Sequence, residues 1–225
     1  MSSRSALASV VALVFGTVLM LALHVLPPTN EISPYRRTIS EYALGPSKWV
    51  FDLAVLLIAL GSALAFVALV RRRLVRPYSG AVVLGALWTL SLLVIVVFPK
   101  TDWTVGPSIG GTVHRYASVV GFVALPLAVL LVVHKVFPDR PGWRWAARGF
   151  AVVSLAWFGL IVVGVVRMAA GYGPWWLFVP LGLVERAMAV SAVAAITTVA
   201  LGLVLARRRV ETGGQDEERR LVSSA

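Results

Sequence analysis

Long apolar runs alternate with short polar ones along the chain, and the apolar runs recur at about 6–26, 49–70, 81–98, 115–135, 149–169 and 181–206. Each is close to the roughly 20 residues a helix needs to cross a hydrocarbon core about 30 Å thick. A backbone crossing lipid must satisfy its own hydrogen bonds, and a helix does so within one segment. The pattern predicts an all-α fold, a polytopic membrane bundle of six transmembrane helices forming one domain over 1–206. A tail over 207–225, with mixed charge and Gly213-Gly214, is expected to be disordered. The first run is longer than a signal-peptide core and no small-x-small site closes it clearly, so it reads as a span.

Composition strengthens this reading. The 225 residues are 59% hydrophobic and 14% charged, whereas soluble domains carry about 25% charged residues. The net charge of +11 gains meaning from its distribution. With the N-terminus placed inside, one side collects Arg4, the Arg71–Arg76 cluster, Lys135, Arg140, Arg144, Arg148 and the five arginines of the tail. The other holds Arg36, Arg37, Lys48, Lys100, Arg115, Arg167 and Arg186. The positive-inside rule then predicts both termini in the cytoplasm, in the plasma (inner) membrane. The basic excess reads as topology and anionic-lipid contact, with no nucleic-acid partner expected.

The chain has no cysteine, which removes disulfides, thiolate-bound clusters and thiol nucleophiles. It has no phosphate-cradling glycine loop and no dinucleotide fingerprint. The three histidines follow no metal-ligand spacing, so neither metal nor cofactor is expected.

Ionisable groups within or beside the spans are costly and therefore candidates for function. Five acids, Glu31, Glu41, Asp52, Asp102 and Glu185, fall toward the expected outer side. Gly45-Pro46 opens the second helix, which places Asp52 about 9 Å along its axis. Glu185 lies about one turn inside the last helix, where Arg167 is a possible partner. Its neighbour Arg186 points about 100° away, toward other helices. Both Asp52 and Glu185 also suit the positive N-terminal end of a helix.

In "DWTVGPSIGGTVHRYAS" (102–118), His114 and Ser118 are four apart and share a helix face. Asp102 precedes them in a loop that can fold back over His114. Asp, His and Ser are the components of an acid–base or nucleophilic site, and equally of a hydrogen-bonded polar cluster without chemistry. In the third outer connection, "GYGPWWLFVP" suggests an aromatic interfacial anchor, or a short segment lying on or dipping into the outer leaflet.

Taken together, "TISEYALGPSKWVF" at 38–51, the apolar helix after it, a basic turn, and "FP…D…HRYAS" leading into the fourth helix resemble the bacterial and archaeal membrane family known as domain of unknown function 998. More distantly they are similar to the Frag1/DRAM/Sfk1 membrane proteins, whose first outer loop carries an "ISD…PE…F"-like pattern. By motif position the resemblance picks out Ser40, Glu41, His114 and Ser118. The chain has Glu41 where the eukaryotic pattern has Asp, and Ser47 and Lys48 where that pattern has its second acid. The resemblance implies a six-helix integral membrane protein, and the eukaryotic relatives tilt the expectation toward lipid.

These readings converge on an outward-facing polar pocket that binds a membrane lipid or isoprenoid head group. Its candidate binding residues are Ser40, Asp52, Arg115, Ser118, Arg167 and Arg186. Glu41, Asp102, His114 and Glu185 are the candidate catalytic groups, should the pocket act on a lipid-soluble substrate by hydrolysis, head-group transfer or isoprenoid cyclisation. Transport, against which the lack of acids in the inner halves of the spans argues, and a non-catalytic scaffold are the remaining alternatives.

Overall fold

In a computed structural model, the backbone is described for residues 2–223 and the side chains for 4–205. All regular structure among the described residues is helical. The helices are α1 (Ser2–Val25), α2 (Lys48–Arg71), α3 (Gly80–Val97), α4 (Ile109–Val136), α5 (Pro141–Ala169), a single turn α6 (Trp175–Phe178) and α7 (Leu181–Ser223). Six of them, with α7 contributing Leu181–Leu205, are long and apolar enough to cross a membrane. The tail over 207–225 lies outside the residues described at side-chain level.

The apolar runs locate the spans, while local chemistry sets their ends. α4 begins six residues before the expected position 115, because Ser108 caps it: its Oγ accepts from the Gly111 amide at 3.0 Å. α5 begins at Pro141 rather than 149, since proline at a first helical position forfeits no bond and the basic residues of the first turns remain helical. α2 ends in a Schellman motif, with Leu74 N–H bonded to Leu69 O at 3.0 Å and Arg73 N–H to Val70 O at 2.9 Å.

Successive spans pack as neighbours, from α1 against α2 through to α5 against α7, and α7 returns to α1 to close the ring. α7 also touches α2 and α4. α2 and α7 are thus the most buried spans, whereas α3 and α5 give most of their surface to the surroundings. Small residues permit close approach. Ser9 Oγ donates to Gly61 O at 2.6 Å across α1 and α2, and a Cβ on Gly61 would stand 2.7 Å from Leu13 Cγ.

Six crossings put the connections 26–47, 98–108 and 170–180 at one end of the bundle. The first of these connections does not stay on the surface. Its 3-10 turn Ile39–Leu44 inserts against α2 and α7, burying Ile39, Ser40, Tyr42 and Ala43.

Candidate functional site: a loop plug over an intramembrane cavity

Two consecutive residues of α7 hold the inserted turn in place. Glu185 Oε2 accepts the Ile39 amide at 2.7 Å, so one carboxylate oxygen satisfies a backbone donor that the turn would otherwise bury unpaired. Arg186 spreads its guanidinium over the same segment. Nη1 donates to Pro34 O at 3.0 Å, Arg37 O at 2.6 Å and Gly182 O at 3.0 Å; Nη2 donates to the Tyr42 hydroxyl at 3.1 Å; and Nε donates to Nε2 of His24 at 2.8 Å. The planar five-donor fork of arginine suits this set of acceptors. Gly182 lets the loop come this close, because a Cβ there would lie 2.4 Å from Arg37 O.

A second layer of charge surrounds the plug. Glu41 pairs with Lys100 of the α3–α4 connection and lies 3.5 Å from Arg37. Lys100 also donates to Thr38 Oγ1 at 3.1 Å. Asp52 is held by Lys48 at 2.6 Å, one helical turn away, and its Oδ1 is buried without a partner. These contacts pair Glu41 and Asp52 with Lys100, Arg37 and Lys48.

The 102–118 segment does not form a catalytic triad. His114 is buried and its Nδ1 donates to Phe98 O at 2.8 Å. The Ser118 hydroxyl donates to the backbone carbonyl of His114 at 2.9 Å, an i−4 bond within the helix that leaves the ring unengaged. Asp102 turns away from His114: its Oδ1 accepts the hydroxyl of Thr104 at 2.7 Å and its amide at 2.9 Å. Those two bonds, the hydroxyl first, hold the Asp102 carboxyl below its ordinary value. Arg115 lies over the Trp103 ring, 5.9 Å from its centroid. Arg167 lies over Phe178 and Tyr172, 4.6 and 5.0 Å from their centroids, and is not the partner of Glu185.

Beneath the plug lies a cavity of about 270 Å³, bordered by α1, α2, α3, α4, α7 and the inserted turn. Apolar side chains form most of its wall, among them Phe51, Val55, Ile58, Leu92, Phe122 and Val193. Its polar border consists of Thr17, His24, Ser40, His114, Ser118, Glu185 and Arg186. The indole N–H of Trp88, which also borders the cavity, is satisfied by Ser62 Oγ at 3.0 Å. In α4, Pro126 offers no amide to the Phe122 carbonyl, leaving that acceptor without its helical donor beside the cavity.

Of the candidates read from the sequence, Ser40, His114, Ser118, Glu185 and Arg186 thus border one cavity. Glu41, Asp52, Asp102, Arg115 and Arg167 do not. His24, Tyr42 and Lys100 join the assembly without having been singled out for it. His24 had a signal, as the one ionisable side chain of the first apolar run beyond its basic start. Among the described residues, no three side chains of metal-binding type converge.

A family model, described as protein of unknown function (DUF998), matches residues 6–202. The chain belongs to the DUF998 family. No curated protein and no solved structure matches the chain. The more distant likeness to the Frag1/DRAM/Sfk1 proteins has no support from these comparisons. The match reaches into all six spans, and the protein is an integral membrane protein of this family.

Proposed function

We propose that this DUF998 protein binds a membrane lipid or isoprenoid, its apolar chain in the intramembrane cavity and its polar head beneath the Ile39–Leu44 turn. The observation that carries the reading is the division of the cavity, apolar over most of its wall and polar along a border of His24, Ser40, His114 and Glu185. Such a distribution suits an amphipathic ligand, since apolar lining supplies most of a site's affinity and a few polar groups fix orientation. Size agrees with a single chain. A cavity of about 150 Å³ takes benzene, so 270 Å³ has room for a segment of roughly a dozen heavy atoms.

The head group is better matched by a hydroxyl or an amine than by a phosphate. The cations that hold the plug already have partners: Arg186 on carbonyls and His24, Lys100 and Arg37 on Glu41, Lys48 on Asp52. A phosphate brought beneath them would face Glu185 without an uncommitted counter-charge. The excess of Lys and Arg at the opposite end supports a plasma-membrane orientation with both termini cytoplasmic and the plug facing outward.

A second reading, acid–base chemistry on a lipid-soluble substrate, draws on the fact that His114 and Glu185 border the same cavity. It predicts that Glu185→Gln retains the ligand but stops its conversion.

Native mass spectrometry with lipidomics on the wild type and Val193→Trp, which fills the cavity, tests binding. The expected result is one lipid class retained by the wild type and lost from the variant. Identical, nonspecific lipid in both would overturn the proposal.

A further inference from the structure

At the end of the bundle opposite the plug, a crevice of about 470 Å³ opens between the α2–α3 turn and the last turn of α4. Arg73, Arg76 and Lys135 border it, with Leu74, Val75 and Pro77 as its floor and walls. No side chain of these three cations forms an ion pair or a hydrogen bond with a described residue. At the plug end the contrast is plain, since there each cation bordering the site is matched by an acid, a carbonyl or a ring.

The backbone adds an independent observation. Arg73 occupies the position just past the C-terminus of α2, in the left-handed conformation at φ 57°. Glycine adopts that conformation without strain and is the usual occupant of this place in a Schellman motif. The adjacent bonds from the Arg73 and Leu74 amides show that the motif itself is complete. The chain therefore carries an arginine where glycine would relax the turn, and the position aims a long cationic side chain at the crevice.

We infer that this crevice is a binding site for a phosphate group, carried by an anionic lipid head group or supplied as a free phosphate ion. Basic pockets between membrane helices recognise anionic head groups through charge and hydrogen bonds together. Three cations without a partner among the described residues, around a concave, partly apolar floor, provide both. The site is separate from the cavity under the plug and its test does not depend on that cavity being occupied.

The test titrates the full-length protein in neutral detergent with dioctanoyl phosphatidic acid, dioctanoyl phosphatidylcholine and inorganic phosphate, comparing the wild type with R73G, R76Q and K135Q. The inference expects the wild type to prefer phosphatidic acid over phosphatidylcholine, with binding weakened about fivefold for each cation removed. It expects R73G to lose affinity while its Tm stays unchanged or rises, because glycine relaxes the turn. Displacement of phosphatidic acid by inorganic phosphate would assign the site to the phosphate alone. Binding of the lipid without such displacement would assign it to a head group. Equal binding of the two lipids, binding of neither phosphatidic acid nor inorganic phosphate, or full affinity in R73G would overturn the inference.

Discussion

Arg186 on α7 donates through Nε to Nε2 of His24 on α1 at 2.8 Å, and His24 Nδ1 in turn donates to Met20 O at 2.7 Å. The imidazole is thereby fixed as the tautomer with its proton on Nδ1, and it also meets the Tyr42 ring edge-on at 5.3 Å. The first span, the last span and the inserted turn are locked through a single guanidinium. Arg186→Ala is expected to lower stability by about 1–3 kcal/mol, because it strips the part-buried acceptors on Gly182, Tyr42 and His24 of their donor. Arg186→Lys recovers the charge but not the fork, and is expected to recover less than half of that loss. Equilibrium unfolding in mixed micelles measures both; a lysine variant as stable as wild type would show that charge alone suffices.

The Glu41–Lys100 pair joins the first and second connections at this end, with side chains only 19% and 15% exposed. Shielding of this degree makes the pair stronger than a surface bridge, which is worth about 0–1 kcal/mol. A double-mutant cycle with Glu41→Gln and Lys100→Met should return a coupling of about 1–2 kcal/mol. Additive single effects would show that Arg37, 3.5 Å from the same carboxylate, is an equal substitute.

Asp102 supplies a pH dependence with a definite sign. Its carboxyl is held below its ordinary 3.8 by the Thr104 hydroxyl and amide, so the native loop favours the ionised form. The loop is therefore at full strength above about pH 4 and loses its stabilisation as pH falls through the lower folded value. Amide exchange at Thr104 should accelerate over that acidic window once the intrinsic rate is subtracted, and should be pH-independent in Asp102→Asn. Lipid retention should be unchanged in the same variant, since Asp102 does not border the cavity.

The close packing of α1 on α2 gives a purely steric prediction. In Gly61→Ala the new methyl would fall 2.7 Å from Leu13 Cγ and 2.9 Å from Ser9 O. Backbone cannot yield as a flexible side chain does, and the helices must separate at a cost of about 1–3 kcal/mol. A drop in Tm for Gly61→Ala, with no matching drop for alanine at Gly149, where no atom lies near, would bear this out.

The spans were legible because length and apolarity suffice to define them, and the polar groups of one end stood out against so much hydrocarbon. Pairing was not legible, for reasons visible in particular residues. Arg186 acts mainly on the carbonyls of Pro34, Arg37 and Gly182, and a carbonyl leaves no mark in residue type. Tyr42 reads as one more apolar position, although its hydroxyl is a partner of that arginine. Ser118 satisfies itself one turn back, an outcome that the same i, i+4 spacing allows as readily as a contact with the His114 ring. Asp102 did carry a usable sign, because an Asp two residues before a Thr favours an Asx turn over a long-range contact. The ends of α4 and α5 moved outward because a serine cap and a first-turn proline extend helices past the point where hydropathy falls.

Glu185 gives the prediction that separates scaffold from site. One of its oxygens accepts the Ile39 amide at 2.7 Å, and the residue also borders the cavity. Glu185→Gln keeps an oxygen for that amide, so the plug should remain seated and the stability should change by less than about 1 kcal/mol. Glu185→Ala leaves the amide buried without an acceptor and should cost about 1–3 kcal/mol. If the carboxylate serves only the plug, the glutamine variant should retain its lipid like the wild type and the alanine variant should lose it together with stability. If it also grips a head group, both variants should lose lipid while only alanine destabilises. Measuring lipid retention and Tm on the same preparations distinguishes the two, and the reading of Glu185 as a ligand-binding group requires the second pattern.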